Sequence, residues 1–266
     1  MKISCQTCCF LQCGKEFNWQ EKIEQILGAG YDGIDIGYEV LNETTPIEEI
    51  KAMDKFIRSI GGEVASLHSG SIFLDDEEKS KKVMEYPVYV SQFLKFKHVV
   101  NSPFTGFSNL YYPRNKKTYE ILGQYLDKYR KLFNPVGLKL GLENHAVDDR
   151  YVLREADNLK YCLDYLDETI GMCPDPSHFV LSGDEPTEST IKWIKKGANF
   201  IHIKDYKDGK WTAPGDGPTD FKKIIDALKL ADYDGWLSVE LEHITNPNLI
   251  SSELKRSLEY MRAICA

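Results

Sequence analysis

Nowhere in these 266 residues does an apolar run approach the roughly 20 that a membrane span requires, so no spanning segment is expected. An excess of positive charge is also missing. The chain carries 33 lysines and arginines against 41 aspartates and glutamates, a net charge of −8, so a nucleic-acid backbone would meet a repulsive field. The tight basic clusters, Lys79 with Lys81 and Lys82 and Arg114 with Lys116 and Lys117, read as solvated helix ends. No low-complexity tract or linker divides the chain, and no glycine-rich phosphate loop follows its first strand-like segment. That segment, Met1 to Gln6, is not a charged region leading into a long apolar stretch. No secretory signal and a cytoplasmic location are therefore expected.

Cysteine is present in an odd number, seven, and four of them crowd together as Cys5, Cys8, Cys9 and Cys13. Four thiolates in so short a stretch are closer than the paired spacing of zinc fingers, and they read as small buried thiols around the first strand. Disulfides are not expected in the cytoplasm. With 42% hydrophobic and 12% aromatic residues, 15 of them tyrosine, the chain has the composition of a folded globular protein.

Short apolar runs alternate with amphipathic stretches of helical period. The runs are Ile3 to Cys5, Gly33 to Ile36, Glu63 to Leu67, His98 to Asn101, Leu138 to Leu142, Ile170 to Cys173, Phe200 to Ile203 and Trp236 to Val239. Helical faces are expected between them: Ile23 with Ile26 and Leu27; Ile47, Ile50, Met53 and Ile57; Tyr119, Leu122, Leu126, Tyr129 and Phe133; Leu159, Leu163 and Leu166; Ile191 with Ile194; Phe221, Ile224, Ile225 and Leu228; Leu254, Leu258 and Met261. Pro87 falls inside Lys79 to Leu94, which predicts a kinked or late-starting third helix. Eight units of about 33 residues match the size of a strand–helix repeat. Unbroken alternation predicts parallel strands, and the expected fold is an α/β (β/α)8 barrel formed as a single domain over residues 1–266, an open doubly wound sheet being the alternative.

Barrels of this kind keep their chemistry at the carboxyl ends of the strands. Polar residues stand where the apolar runs stop: Ser66-Leu67-His68, Glu143-Asn144-His145, Asp175-Pro176-Ser177-His178, His202-Ile203-Lys204-Asp205 and Glu240-Leu241-Glu242. Glu143, Asp175, His202 and Glu240, from four strands, make a plausible metal set. Three oxygens and one nitrogen suit Mn²⁺, Mg²⁺ or Co²⁺ better than a thiolate-type structural Zn²⁺. His98 and His243 read as structural, since the first begins a strand and the second lies past one.

The strings LGLENH, DPSH, FIHIKD, PGDGPTDF and GWLSVELE resemble the xylose isomerase-like barrel superfamily, especially its sugar phosphate isomerase and epimerase branch, which is similar to tagatose 3-epimerase, hydroxypyruvate isomerase and inosose dehydratase. The resemblance runs from about Gly30 to Glu242. It implies that Glu143, Asp175, His202 and Glu240 bind one divalent cation (Mn²⁺, Mg²⁺, Co²⁺ or Zn²⁺), with Glu143 and Glu240 also the acid–base pair. It further implies a substrate contact at His178, with His68 and Lys204 as further substrate-binding candidates. The segment Pro214 to Gly217, with Trp211 and Asp216, would cover a carbohydrate substrate. Two departures bear on the substrate: Asp35 stands where relatives commonly place a glutamate, and Lys204 or Lys207 would have to replace the arginine of some ketose epimerases.

These residues imply a sugar or sugar-phosphate isomerase or epimerase that moves a proton through an enediolate. Elimination of a β-hydroxyl from the same intermediate would make a dehydratase. His68, Glu143, Asp175, His178, His202 and Glu240 also match six metal-binding positions of endonuclease IV. The histidine on strand four and the Asp-x-His pair after strand seven that such a nuclease needs are missing. The same residues would also serve a non-catalytic sugar-binding protein, and a homo-oligomer is compatible with the sequence.

Overall fold

All eight apolar runs are strands, and they lie parallel in a nearly closed (β/α)8 barrel. The computed structural model describes residues 1–106, 115–195, 197 and 200–266, so Arg114 of the second basic cluster lies outside the described residues. The barrel strands are β1 (Lys2–Gln6), β2 (Gly33–Ile36), β3 (Val64–His68), β4 (His98–Asn101), β5 (Lys139–Glu143), β6 (Ile170–Cys173) and β7 (Phe200–Ile203). A hairpin of β8 (Asp205–Lys207) and β9 (Lys210–Thr212) follows, and β10 (Trp236–Val239) is the last barrel strand. Their hydrogen-bonded order is β6-β5-β4-β3-β2-β1-β10-β7. At the remaining seam, His202 N–H donates to the Pro174 carbonyl at 3.2 Å, just past the end of β6.

Helices α1 (Trp19–Gly28), α2 (Ile47–Ser59), α3 (Glu77–Val90), α4 (Lys116–Phe133), α5 (Pro176–Ser182), α6 (Pro186–Ile194), α7 (Phe221–Leu230) and α8 (Ile250–Cys265) accompany the strands. The helices cover the outer strand face and the barrel interior the inner one, which is why β2, β6, β7 and β10 are buried at every residue and read as mainly apolar runs, interrupted by Asp35, His202 and Ser238. In α7, Phe221, Ile224, Ile225 and Leu228 form the buried face, each worth roughly 1.5–3 kcal/mol of burial. Asn18 and Glu21 close a reciprocal capping box at the start of α1. Gly30 (φ 102°) and Gly137 (φ 71°) take the left-handed conformation that turns the chain back toward the next strand.

Two helical expectations change. The face drawn through Leu159, Leu163 and Leu166 is not an α-helix but two 3-10 turns, Ala156–Tyr161 and Leu163–Tyr165. The Asn158 carboxamide accepts from the Arg154 and Glu155 N–H groups, which holds the start of the segment in a local turn, and Leu163 is left exposed. The third helix does not start late. It begins at Glu77, capped by Asp76, and runs through Pro87, which sits in its last turn.

Candidate metal centre

Side chains alternate along a strand, so Phe200, His202 and Lys204 share one face, as do Trp236, Ser238 and Glu240. The lower members, Phe200 and Trp236, join Ala65, Val100 and Cys173 in an apolar plug. Above it lies a polar layer, and the parallel register sets its membership: Asp35 pairs with Gln6 and Ser66 on its neighbouring strands, and His202 with Ser238. Glu143 ends β5, and Glu240 directly follows β10.

His202 is the centre of this layer. Its Nδ1 lies 2.6 Å from Oε1 of Glu143 and 3.1 Å from Oε1 of Glu240, and its Nε2 lies 3.2 Å from Oδ2 of Asp35. Glu143, His202 and Glu240 are buried, and each offers a ligand atom within 4.8 Å of the others. On the far oxygen of Glu143, Ser102 donates at 2.6 Å and His68 Nε2 lies at 3.5 Å. Gln6 Nε2 donates to Glu240 Oε1 at 2.7 Å.

Asp175, the fourth expected ligand, stands apart from that trio. One oxygen caps α5 by accepting from Ser177 and His178 N–H, while Oδ2 makes no hydrogen bond among the described residues. The Lys204 ammonium bridges it to the rest, 3.4 Å from Asp175 Oδ2, 2.6 Å from Glu240 Oε2 and 3.5 Å from Glu242 Oε1. His178 is fully buried. Its Nδ1 accepts from the Ala146 N–H at 3.1 Å, so in the neutral ring the proton sits on Nε2, which makes no hydrogen bond among the described residues and lies 3.9 Å from Asp175 Oδ2.

A cavity of about 240 Å³ opens above the trio, lined among others by Gln6, His68, Glu143, Lys204, Glu240 and Glu242. Trp211, on β9, packs beside the site: its ring is 5.0 Å from His178 and 4.6 Å from the Lys204 ammonium. Asp216 does not join it, because Arg256 on α8 holds both its oxygens at 2.9 Å. Lys207 is exposed on the hairpin, so the lysine at the site is Lys204. His243 pairs with Glu253 at 3.1 Å, away from the centre.

The Xylose isomerase-like TIM barrel family model matches residues 23–264. The chain belongs to this family. Among relatives of this family member, an inosose dehydratase of Clostridium botulinum is 24% identical over 88% of this chain and 86% of its own. That of Clostridium beijerinckii is 23% identical over the same shares. The fold matches a D-tagatose 3-epimerase-like protein at a TM-score of 0.81 and 18% identity, covering 100% of this chain and 98% of that one. An IOLI protein solved with a zinc atom matches at 0.79 and 18%, again over 100% and 98%.

Charge is finely balanced in this family member's centre. Burial pushes the Glu143 carboxyl up, but the charges and hydrogen bonds of His202 and His68, with Lys204 nearby, hold it well below the usual range. Burial works against a charged His202, yet Glu240, Glu143 and the bond to Asp35 hold its value well above an ordinary imidazole. Burial dominates at Asp175 and lifts it to about 7 despite Lys204. Burial also lowers His178 and takes His145 to about 3, so both are neutral rings. Buried carboxylates converging on one imidazole nitrogen, with an Asp175 oxygen nearby that makes no hydrogen bond among the described residues and is met by the Lys204 ammonium, fit a divalent cation held by hard and borderline donors. Among the described residues, the four clustered cysteines are free and buried, as expected of structural thiols.

Asp35, Gln6, Ser66, Ser102 and Ser238 complete the polar layer; the strand-end pattern included Ser66, Asp35 stood out as a departure from the family pattern, and Gln6, Ser102 and Ser238 were not singled out. A charged residue inside a strand that is otherwise apolar was a second signal for Asp35, and the structure buries it.

Proposed function

We propose that the chain is a divalent-metal-dependent carbohydrate isomerase or epimerase that moves a carbon-bound proton beside a carbonyl. The observation that carries this is the pair of buried carboxylates, Glu143 and Glu240, converging on His202 from two strands beneath an open cavity. Glu143, His202 and Glu240 would hold the cation, with Asp175 as fourth ligand once Lys204 yields its oxygen. Bound there, a divalent cation stabilises negative charge that develops on the substrate oxygens. Glu143, kept ionised by His202 and His68, removes the proton from carbon, and Glu240 returns one to the opposite face. His178 Nε2–H and His68 orient substrate hydroxyls. Trp211 excludes water from one side.

A second reading is favoured by the relatives, which include inosose dehydratases. The same proton removal, followed by departure of a hydroxyl from the adjacent carbon, would release water. Lys204 and Glu242, 3.5 Å apart at the cavity, are placed to supply the proton that the leaving hydroxyl takes.

One experiment separates these readings. Protein stripped and reloaded with Mn²⁺, Co²⁺ or Zn²⁺ is incubated with free ketohexoses and with an inosose in deuterated water, and products are followed by proton NMR. Epimerisation puts deuterium on the inverted carbon of a ketose. Dehydration instead consumes the inosose and yields the enol of a 1,2-diketone, with deuterium entering the carbon that lost its hydroxyl as the enol ketonises. Absence of exchange at any carbon-bound hydrogen in both substrates counts against either enzyme.

A further inference from the structure

The imidazole of His202 can serve a cation only through Nδ1, because Nε2 faces the opposite wall of the barrel. There it meets a carboxylate, not a solvent molecule or a carbonyl: Oδ2 of Asp35, at 3.2 Å. Both residues are fully buried. Asp35 is held from three further strands. Ser66 donates to its Oδ1, Ser238 donates to Oδ2 at 3.0 Å, and the Gln6 carboxamide, which also reaches Glu240, lies 3.4 Å from Oδ2. The surrounding donors are uncharged, so their geometry aims the carboxylate at the ring.

The backbone is adjusted at the same point. Ile34 pairs with Val64, but Asp35 pairs with Ser66, so the β2–β3 register slips by one residue directly before the aspartate. Irregularities of this type re-aim a side chain beside a functional centre.

We propose that Asp35 is the positioning residue of the metal centre. By accepting the Nε2–H of His202 it holds the ring in the tautomer and rotation that leave Nδ1 free to bind the cation between Glu143 and Glu240. Metal-binding histidines ordinarily donate their other N–H to such an acceptor, and losing it commonly costs 10–100-fold in metal affinity. Asparagine at this position keeps the size of the side chain, but its amide is a weaker acceptor and can turn a donor toward Nε2. The ring is then free to adopt the other tautomer.

This inference rests on the cation site proposed above, and its test keeps the two apart. Co²⁺ is titrated into stripped full-length protein and into Asp35→Asn, with affinity read from visible absorption and chelator competition. Wild-type protein should bind Co²⁺, and the variant should bind it about 10–100-fold more weakly with an altered spectrum. Equal affinity and an unchanged spectrum in a folded Asp35→Asn overturn the role of Asp35 while leaving the cation site standing. If the wild type binds no Co²⁺, the cation site itself falls and this role with it. A second measurement needs no variant: long-range nitrogen–proton NMR of the Zn²⁺-loaded wild type should show the His202 proton on Nε2. A proton on Nδ1 would refute the assignment even if the variant does not fold.

Discussion

The ammonium of Lys204 lies 2.6 Å from Oε2 of Glu240, with both residues buried beneath the cavity. The same group approaches Asp175 and Glu242, so one lysine neutralises much of the charge that a cation would also neutralise. Removing one partner of a buried pair typically costs about 3–5 kcal/mol, because the remaining charge is stranded.

Lys204→Met should therefore melt well below the wild type when stripped of metal. Divalent metal should then raise the melting temperature of the variant more than that of the wild type, because the cation takes over part of the lysine's charge balance. Parallel thermal shifts on adding Mn²⁺ or Zn²⁺ would show that lysine and metal do not share those carboxylates.

Glu143→Gln and Glu240→Gln keep side-chain size but remove the base. Turnover should fall by a factor on the order of 10² or more in each, measured at matched metal occupancy. Exchange of the substrate's carbon-bound hydrogen in deuterated water tells the two apart. If one variant exchanges and turns over normally with metal bound, the two-carboxylate assignment is wrong.

His178→Ala should retain the metal and raise KM. The Nε2–H of His178 has no hydrogen-bond partner among the described residues, and its Nδ1 is committed to the Ala146 N–H. Elemental analysis of the variant is the check. Metal content lost together with the imidazole would make His178 a ligand and reopen the multi-metal reading.

At the opposite end of β4 from the cavity, burial and the neighbouring Lys97 and Lys139 hold His98 down at about 4. The unfolded chain takes up this proton near pH 6.5 and the native state does not. Stability from this residue is therefore complete above pH 6.5 and is lost as pH falls toward 4. Over the two units from 6.5 to 4.5 this amounts to about 2–3 kcal/mol. Urea unfolding at pH 7.5 and 4.5 should show His98→Gln gaining on the wild type by that order at the lower pH. Parallel losses in the two proteins would mean that His98 is protonated in the folded state.

The barrel strands were legible because a strand covered on both sides is mainly apolar, and such runs stand out in a single sequence. The polar residues that end them were legible for the same reason: Glu143, Asp175, His202 and Glu240 are conspicuous where an apolar run stops. Local chemistry was harder to foresee. Leu159, Leu163 and Leu166 keep helical spacing, but the Asn158 side chain competes for the backbone, and spacing carries no record of that competition.

Which polar residues touch was decided only by closure of the barrel. His202 meets Asp35 across 167 positions of chain, and Gln6 meets Glu240 across 234. Closure also placed the Lys204 ammonium between Asp175 and Glu240, so that three of the four expected ligands gather while the fourth waits behind a lysine. The sequence by itself determined the list of strands and the residues at their ends, because burial and alternation act over a few positions. The tertiary structure decided the partners, because register and closure join strands that are distant in sequence, and a one-residue slip such as that at Ile34 and Asp35 changes which side chains meet.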